Sequence, residues 1–285
     1  MKIGIIGIGL IGGSFALAAK RHLANCVCYG SDQNASHLQQ ALEKGIVQAP
    51  LEALDEMDVV VVAIPVDAAK GVLPSVLNQV HSNALVMDVG STKTAICKIL
   101  ELHPKRAQFL ATHPIAGTEF SGPDSAFESL LVNKVQIICE SEKTRPDLLE
   151  QAINQFEKMK MQVHEMNPTD HDQHIAYVSH LSHVSSFMLG KTVMEKEKDE
   201  RAIFKMAGSG FASTVRLAKS SPEMWTPIFR ENKKHLLKVL DAYIKNLSAF
   251  KEMMDQDDFN RVFDEMKNIN NIRKILEGIP AQHHK

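Results

Sequence analysis

A chain of 285 residues with 32 Lys and Arg against 34 Asp and Glu carries a formal charge of −2 at pH 7. Acids and bases are interspersed, so neither nucleic acid nor a membrane surface is expected as a partner. The four cysteines (Cys26, Cys28, Cys97, Cys139) make no zinc-type pair, and Cys26 and Cys28 lie too close in sequence for a disulfide, which points to a reducing cytoplasm.

The chain opens MKIGIIGIGLIGGSFALAAK. A lysine before an apolar run can mark a secretory leader, but Gly7, Gly9, Gly12 and Gly13 would weaken a leader helix. They suit a turn between a strand at 2–7 and a helix at 10–21. Further apolar runs predict strands at 26–31, 58–64, 84–89, 107–112, 134–139 and 161–166. Helical periodicity separates most of them, at 35–44, 66–80, 92–102 and 146–160. Continuous apolar strands with helices between them predict a doubly wound α/β domain, its parallel sheet covered on both faces. From about 168 the pattern is helical, to about 276. Asn167-Pro168-Thr169-Asp170 reads as a turn into a capped helix, which sets domains at 1–166 and 167–278 and a frayed tail at 279–285.

Gly7-x-Gly9-x-x-Gly12 follows the first strand and opens the first helix. In a Rossmann-type turn the first glycine makes the bend, the second admits a pyrophosphate and the third lets helix pack on strand. Leu10 and Ile11 then contribute N–H groups of the first helical turn to the phosphates. Glycines at turns are common, so the motif gains weight from Asp32, which ends the second strand 20 residues beyond Gly12. A carboxylate there accepts from ribose hydroxyls and repels a 2′-phosphate, so the expected cofactor is NAD.

Ligands of open α/β sheets bind beyond the carboxyl ends of the strands. Polar clusters fall there at Ile64-Pro65, at Asp88 to Lys93 and at His113-Pro114. Pro114 biases His113 toward an extended backbone. Gly117 and Gly122 allow a sharp path that returns Glu119. A histidine at a strand end is usually a loop residue; beside a nicotinamide it suits the base that a dehydrogenase needs. In the helical half, Arg216 would lie in the first turn of a helix capped by Ser213, where only a bound anion would offset the dipole. His171, His174, His180 and His183 suggest a metal, but on a straight α-helix the first pair points about 180° from the second, so none is expected. Ile175, Val178, Leu181, Val184 and Met188 give that helix a face to bury.

GIGLIGGS, DVGSTK, HPIAGTE, SHLSH and GFASTVRLAKSSPEMW together resemble the prephenate dehydrogenase family, over about residues 2–276. The resemblance implies NAD-dependent oxidative decarboxylation of prephenate to 4-hydroxyphenylpyruvate, in tyrosine biosynthesis. It implies that His113 accepts the ring-hydroxyl proton and that Ser91 bonds the same hydroxyl. It puts Ile64 and Pro65 at the cofactor and Arg216, His183, Thr118 and Glu119 at the substrate, with Glu119 at the mouth. Trp225 would approach through the partner subunit of an intertwined homodimer. Arogenate dehydrogenase is the nearest alternative, and a non-catalytic NAD-binding dimer is a reading of another class.

Overall fold

The computed structural model describes residues 1–200 and 202–277. The tail expected to fray, 279–285, lies outside them. An eight-stranded sheet runs β3-β2-β1-β4-β5-β6-β7-β8. Its strands are β1 (Lys2–Ile6), β2 (Val27–Ser31), β3 (Ala49–Pro50), β4 (Val59–Val62), β5 (Leu85–Asp88), β6 (Phe109–Pro114), β7 (Val135–Cys139) and β8 (Gln162–Glu165). Between them run α1 (Leu10–His22), α2 (Ala35–Glu43), α3 (Val66–Gln79), α4 (Thr94–Leu100) and α5 (Pro146–Lys158).

The valines of β4 explain why that run reads as continuously apolar. Val59 and Val61 join the core under α1 and α5, with Phe15 and Phe156. Val60 and Val62 join the opposite core under α3 and α4, with Leu73, Leu77 and Ile96. Both faces are dry, and each such side chain contributes about 1.5–3 kcal/mol on burial.

The sheet departs from the expected parallel pattern at one place: β6 and β7 pair antiparallel, Thr112 opposite Ile138 and His113 opposite Ile137. No crossover helix joins them. The connection is built from short 3₁₀ turns and bends at Gly117 (φ 157°) and Gly122 (φ 82°), so the chain returns from the end it left. Strand β6 also runs two residues beyond the predicted 107–112, which puts His113 inside the ladder.

Asn167 caps α6 (Pro168–Ile175) by accepting from the Thr169 N–H at 2.8 Å. A π-helical segment, Ala176–His180, leads into α7 (Leu181–Glu200). Then come α8 (Ser209–Thr214), a 3₁₀ turn at Arg216–Lys219, α9 (Pro222–Glu231), α10 (Lys233–Asp255), α11 (Phe259–Ile269) and α12 (Ile272–Glu277). By compactness the chain divides into Met1–Leu236 and the segment from Leu237 onward. In the second unit Met253 and Val262 are buried while Phe259, Phe263 and Ile269 stay exposed. The face predicted along α6 and α7 is only partly covered: Ile175 is buried, but Val178 and Met188 are 73% and 51% exposed. Among the described residues no helix is long and apolar enough to cross a membrane.

Candidate active site

The strand order reverses between β1 and β4, and the candidate residues gather at the carboxyl ends of the strands around that point. At the end of β1, Gly7 has φ 92°, and a Cβ there would press into the Ala63 carbonyl and the Ile64 side chain. A Cβ at Gly12 would overlap the Gly7 carbonyl oxygen, so this glycine sets how closely α1 packs. Gly9 differs: nothing lies within 4 Å of where its Cβ would be. That open side of the backbone is the approach a pyrophosphate requires. No side chain caps α1 at Gly9 and no acid occupies its first turn, so the N–H groups around Leu10, Ile11 and Gly12 suit an anion. The residues present fit NAD.

Asp32 follows β2 and is fixed from both sides. Its Oδ2 accepts from the Ile8 N–H at 2.8 Å and its Oδ1 from the Asn34 N–H at 2.9 Å. Oδ1 also faces His37 Nδ1 at 3.5 Å, and Oδ2 keeps a lone pair for a ribose hydroxyl. Asp32→Ser removes the charge facing a 2′-phosphate, so the preference for NAD over NADP narrows by about 10–100-fold, given about 1–3 kcal/mol of repulsion at a part-buried site. Steady-state kinetics with the two cofactors check this; an unchanged ratio would exclude Asp32 as the discriminator.

Beneath the reactive end lies a buried ion pair. Lys93, fully buried, donates its Nζ to Asp88 Oδ2 and to the Thr112 carbonyl, the latter at 2.6 Å. Thr112 Oγ1 donates to the Asp88 carbonyl at 2.5 Å. The tip of β5 is thereby tied to the residue before His113. Removing one member of such a pair strands a buried charge, which typically costs about 3–5 kcal/mol. Ser91 sits half-buried in the turn between Asp88 and Lys93.

His113 is 8% exposed. Burial above all, with the buried Lys93 ammonium nearby adding to it, holds its imidazole well below the usual histidine range. It is therefore neutral at physiological pH and able to accept a proton. Its Nδ1 lies 2.8 Å from His171 Nε2, and His171 Nδ1 lies 2.8 Å from Asp172 Oδ1. The Asp172 carboxylate also accepts from the Lys93 N–H at 2.7 Å and the Thr94 N–H at 2.9 Å, at the start of α4. Burial pushes Asp172 upward, but the hydrogen bonds from His171, Thr94 and Lys93 outweigh it and keep the carboxyl below its ordinary value. Asn232 donates to the Asp172 carbonyl at 2.6 Å and lies 3.2 Å from His180 Nδ1.

The four histidines do not behave as a straight helix predicts. The wider π turn rotates the later residues back, so His171 and His180 are both buried while His174 is exposed. Among the described residues no three His, Cys, Asp or Glu side chains are arranged to hold one ion. Burial lowers His180 to about 4. His183 donates from Nδ1 to the Ser179 carbonyl at 2.9 Å and stacks on Trp225 with centroids 3.4 Å apart. Trp225 is itself buried within its own chain, against Val66 at the start of α3, just after Pro65. His180 Nε2, Trp225 Nε1 and Asn232 Oδ1 are buried with no hydrogen-bond partner among the described residues.

Arg216 donates to Glu119 Oε2 at 2.7 Å; the guanidinium is 35% exposed and the carboxylate 8%. The loop following β6 is thus clasped from the helical part of the same unit. Thr118 Oγ1 accepts from the Phe120 N–H at 3.2 Å in that loop. The cap expected at Ser213 is not formed. Gly208 is the N-cap of α8, Ser213 is internal and bonds the Gly210 carbonyl at 2.9 Å, and Arg216 follows the helix. Arg216 therefore meets the negative end of the α8 dipole, where a cation is favoured, and no bound anion is needed to place it there.

Two family models match the chain: the prephenate dehydrogenase nucleotide-binding domain over residues 15–165 and the prephenate dehydrogenase dimerization domain over 167–268. The prephenate dehydrogenase of Bacillus subtilis is 29% identical over 284 residues, 98% of this chain and 76% of that protein. A cyclohexadienyl dehydrogenase of Zymomonas mobilis is 28% identical, with 96% of each chain covered. Among solved structures, a prephenate dehydrogenase of Aquifex aeolicus in complex with hydroxyphenyl propionate and NAD+ superposes with a TM-score of 0.88. It is 29% identical and the alignment covers 97% of this chain and 98% of that one. With both domain models aligned in order along the strands and helices described above, the chain belongs to the prephenate dehydrogenase family.

Proposed function

We propose that the protein oxidises and decarboxylates prephenate to 4-hydroxyphenylpyruvate, with His113 as the proton acceptor. The reading rests on the Arg216–Glu119 clasp, which fastens a guanidinium suited to a substrate carboxylate onto the loop that leaves the strand carrying the buried, neutral His113. When bound, NAD supplies the hydride acceptor. His113 accepts the hydrogen bond of the ring hydroxyl and takes its proton as positive charge develops on the carbinol carbon. The ring carboxylate leaves as carbon dioxide, its electron pair completes the aromatic ring, and His113 returns the proton to the phenol oxygen. Ser91 orients the hydroxyl, while Thr118, His183 and Trp225 line the substrate side. Arg216 exchanges Glu119 for the substrate carboxylate.

Residues 1–166 hold the cofactor and the proton acceptor, and 167–278 complete the substrate side and the assembly, a division supported by where the two family models meet. The open apolar surface at Val178 and Met188 fits a homodimer, and the chemistry fits the cytoplasm. Arogenate is the second reading, favoured by the cyclohexadienyl dehydrogenase among the relatives. NADH formation from each purified substrate separates the readings. Higher kcat/KM with prephenate is expected; a preference for arogenate would reassign the substrate, and no turnover of either would leave a cofactor-binding protein only.

A further inference from the structure

We propose that His171, held by Asp172, is a positioning residue that sets the tautomer of His113 and so decides which nitrogen meets the substrate. The inference rests on His113 being the proton acceptor, as proposed above, and adds what makes it one. The helical pattern of the sequence gave His171 no task, and neither ring can take either role freely once the contacts are followed in order.

Asp172 is the fixed point. Its carboxylate is anchored by two backbone N–H groups at the start of α4, and its carbonyl is held by Asn232. An ionised carboxylate only accepts, so His171 must present Nδ1–H to Oδ1 at 2.8 Å. One proton lies between the two rings, and for His113 to offer a bare nitrogen outward that proton must sit on the His113 side, which makes His171 Nε2 the acceptor. At 2.8 Å from it, His113 Nδ1 must then be the donor. The remaining nitrogen of His113, Nε2, is left with a bare lone pair. That is the only neutral form in which His113 can take a proton outward from the pair.

The same contacts also fix the ring plane. The two imidazoles meet edge-on, with centroids 5.0 Å apart and planes at 74°, which aims an N–H of one at the in-plane lone pair of the other. His113 and His171 are 8% and 2% exposed, so water does not compete for these bonds. When Nε2 takes a proton, the positive charge on His113 faces a chain of acceptors that ends in the Asp172 carboxylate. An aspartate behind a catalytic histidine acts in this way in serine proteases, where it orients the ring and stabilises the imidazolium without itself gaining the proton. Here a second imidazole stands between the two.

The test is long-range ¹H–¹⁵N correlation NMR on the full chain labelled with ¹⁵N-histidine, the His113 signals being those lost in His113→Asn. The wild-type protein is expected to show Nδ1 protonated and Nε2 bare at His113. His171→Leu removes the acceptor; His113 then populates the Nε2–H tautomer, and kcat with prephenate falls by about 10²-fold with KM for NAD unchanged. His171→Gln can place Oε1 where Nε2 stood and is expected to restore the wild-type tautomer and at least about tenfold of the lost rate. A wild-type His113 protonated at Nε2 overturns the proposal. So does a loss of kcat in His171→Leu with the His113 tautomer unmoved, because a purely structural role would do that. If His171→Leu does not fold, the wild-type spectrum and His171→Gln decide alone. The expected tautomer in a protein that turns over no prephenate would uphold the relay and sink only the functional reading.

Discussion

His113→Asn is expected to lower kcat with prephenate by about 10²–10⁴ while NAD binds as before, the usual loss when a general base is removed. Asparagine fits the extended β6 backbone, and its amide N–H can still reach toward His171, so the loss reports the missing acceptor. NAD binding is spared because the cradle at Gly7–Gly12 and Asp32 makes no use of the ring. Single-turnover kinetics with a separate NAD titration check both halves. The pH profile follows with a definite sign. The folded pKa of His113 is well below its ordinary value of 6.5, so the working neutral form persists as pH falls through 6.5. The acid limb of kcat/KM due to this group therefore lies well below 6.5. The same depression makes folding stability complete above 6.5 and progressively lost below it, because the unfolded chain binds a proton that the buried ring refuses. His180, lowered to about 4, adds in the same direction.

Arg216→Ala is the second large effect. A guanidinium gripping a carboxylate in a partly buried site is worth about 2–5 kcal/mol when truncated, which weakens prephenate binding by about 30-fold or more. NAD affinity changes by less than about twofold, since Arg216 bonds Glu119 and not the cradle. Glu119 is left without that partner in the variant, so part of the loss is reorganisation of the loop after β6. Glu119→Gln measures that part, because it loosens the clasp while the guanidinium stays. Equal weakening of prephenate and NAD in Arg216→Ala would mean the unit has been disrupted rather than a subsite removed.

Much of the sheet could be read in advance because its strands are dry on both faces. A run such as DVVVVAI has one use in a covered sheet, and the alternation of Val59 to Val62 between two cores shows why every position is apolar. The glycine turn was legible for a similar reason: three glycines each meet a distinct steric demand, and Asp32 at the end of the second strand accepts from the Ile8 N–H within that turn. The antiparallel β7 was hidden because an apolar strand carries no record of its direction; only the absence of a helix between 115 and 134 hinted at it. The two-residue β3 is too short to leave a pattern.

In the site, the motif HPIAGTE led to His113 and Glu119, but the residues that support them were missed. His171 and Asp172 were obscured by the assumption of a straight α-helix from 168 onward. The π segment at Ala176–His180 changes which side chains share a face, and nothing in its apolar spacing announces it. The sequence placed Lys93 only within the polar cluster at the end of β5, whereas burial against Asp88 makes it a tie between strands. The misplaced cap at Ser213 has a plainer cause: serine is a good N-cap wherever a helix starts, and here Gly208 starts it one turn earlier.

The proposed chemistry requires the Nε2 of His113 to face the reacting centre. A crystal structure of the protein with NAD and an unreactive analogue retaining the ring hydroxyl tests this most directly. The expected result is His113 Nε2 within about 3 Å of that hydroxyl oxygen, Nδ1 still on His171, and Arg216 on a carboxylate of the analogue. A hydroxyl bound elsewhere, with the His113 ring turned from the nicotinamide, would contradict it.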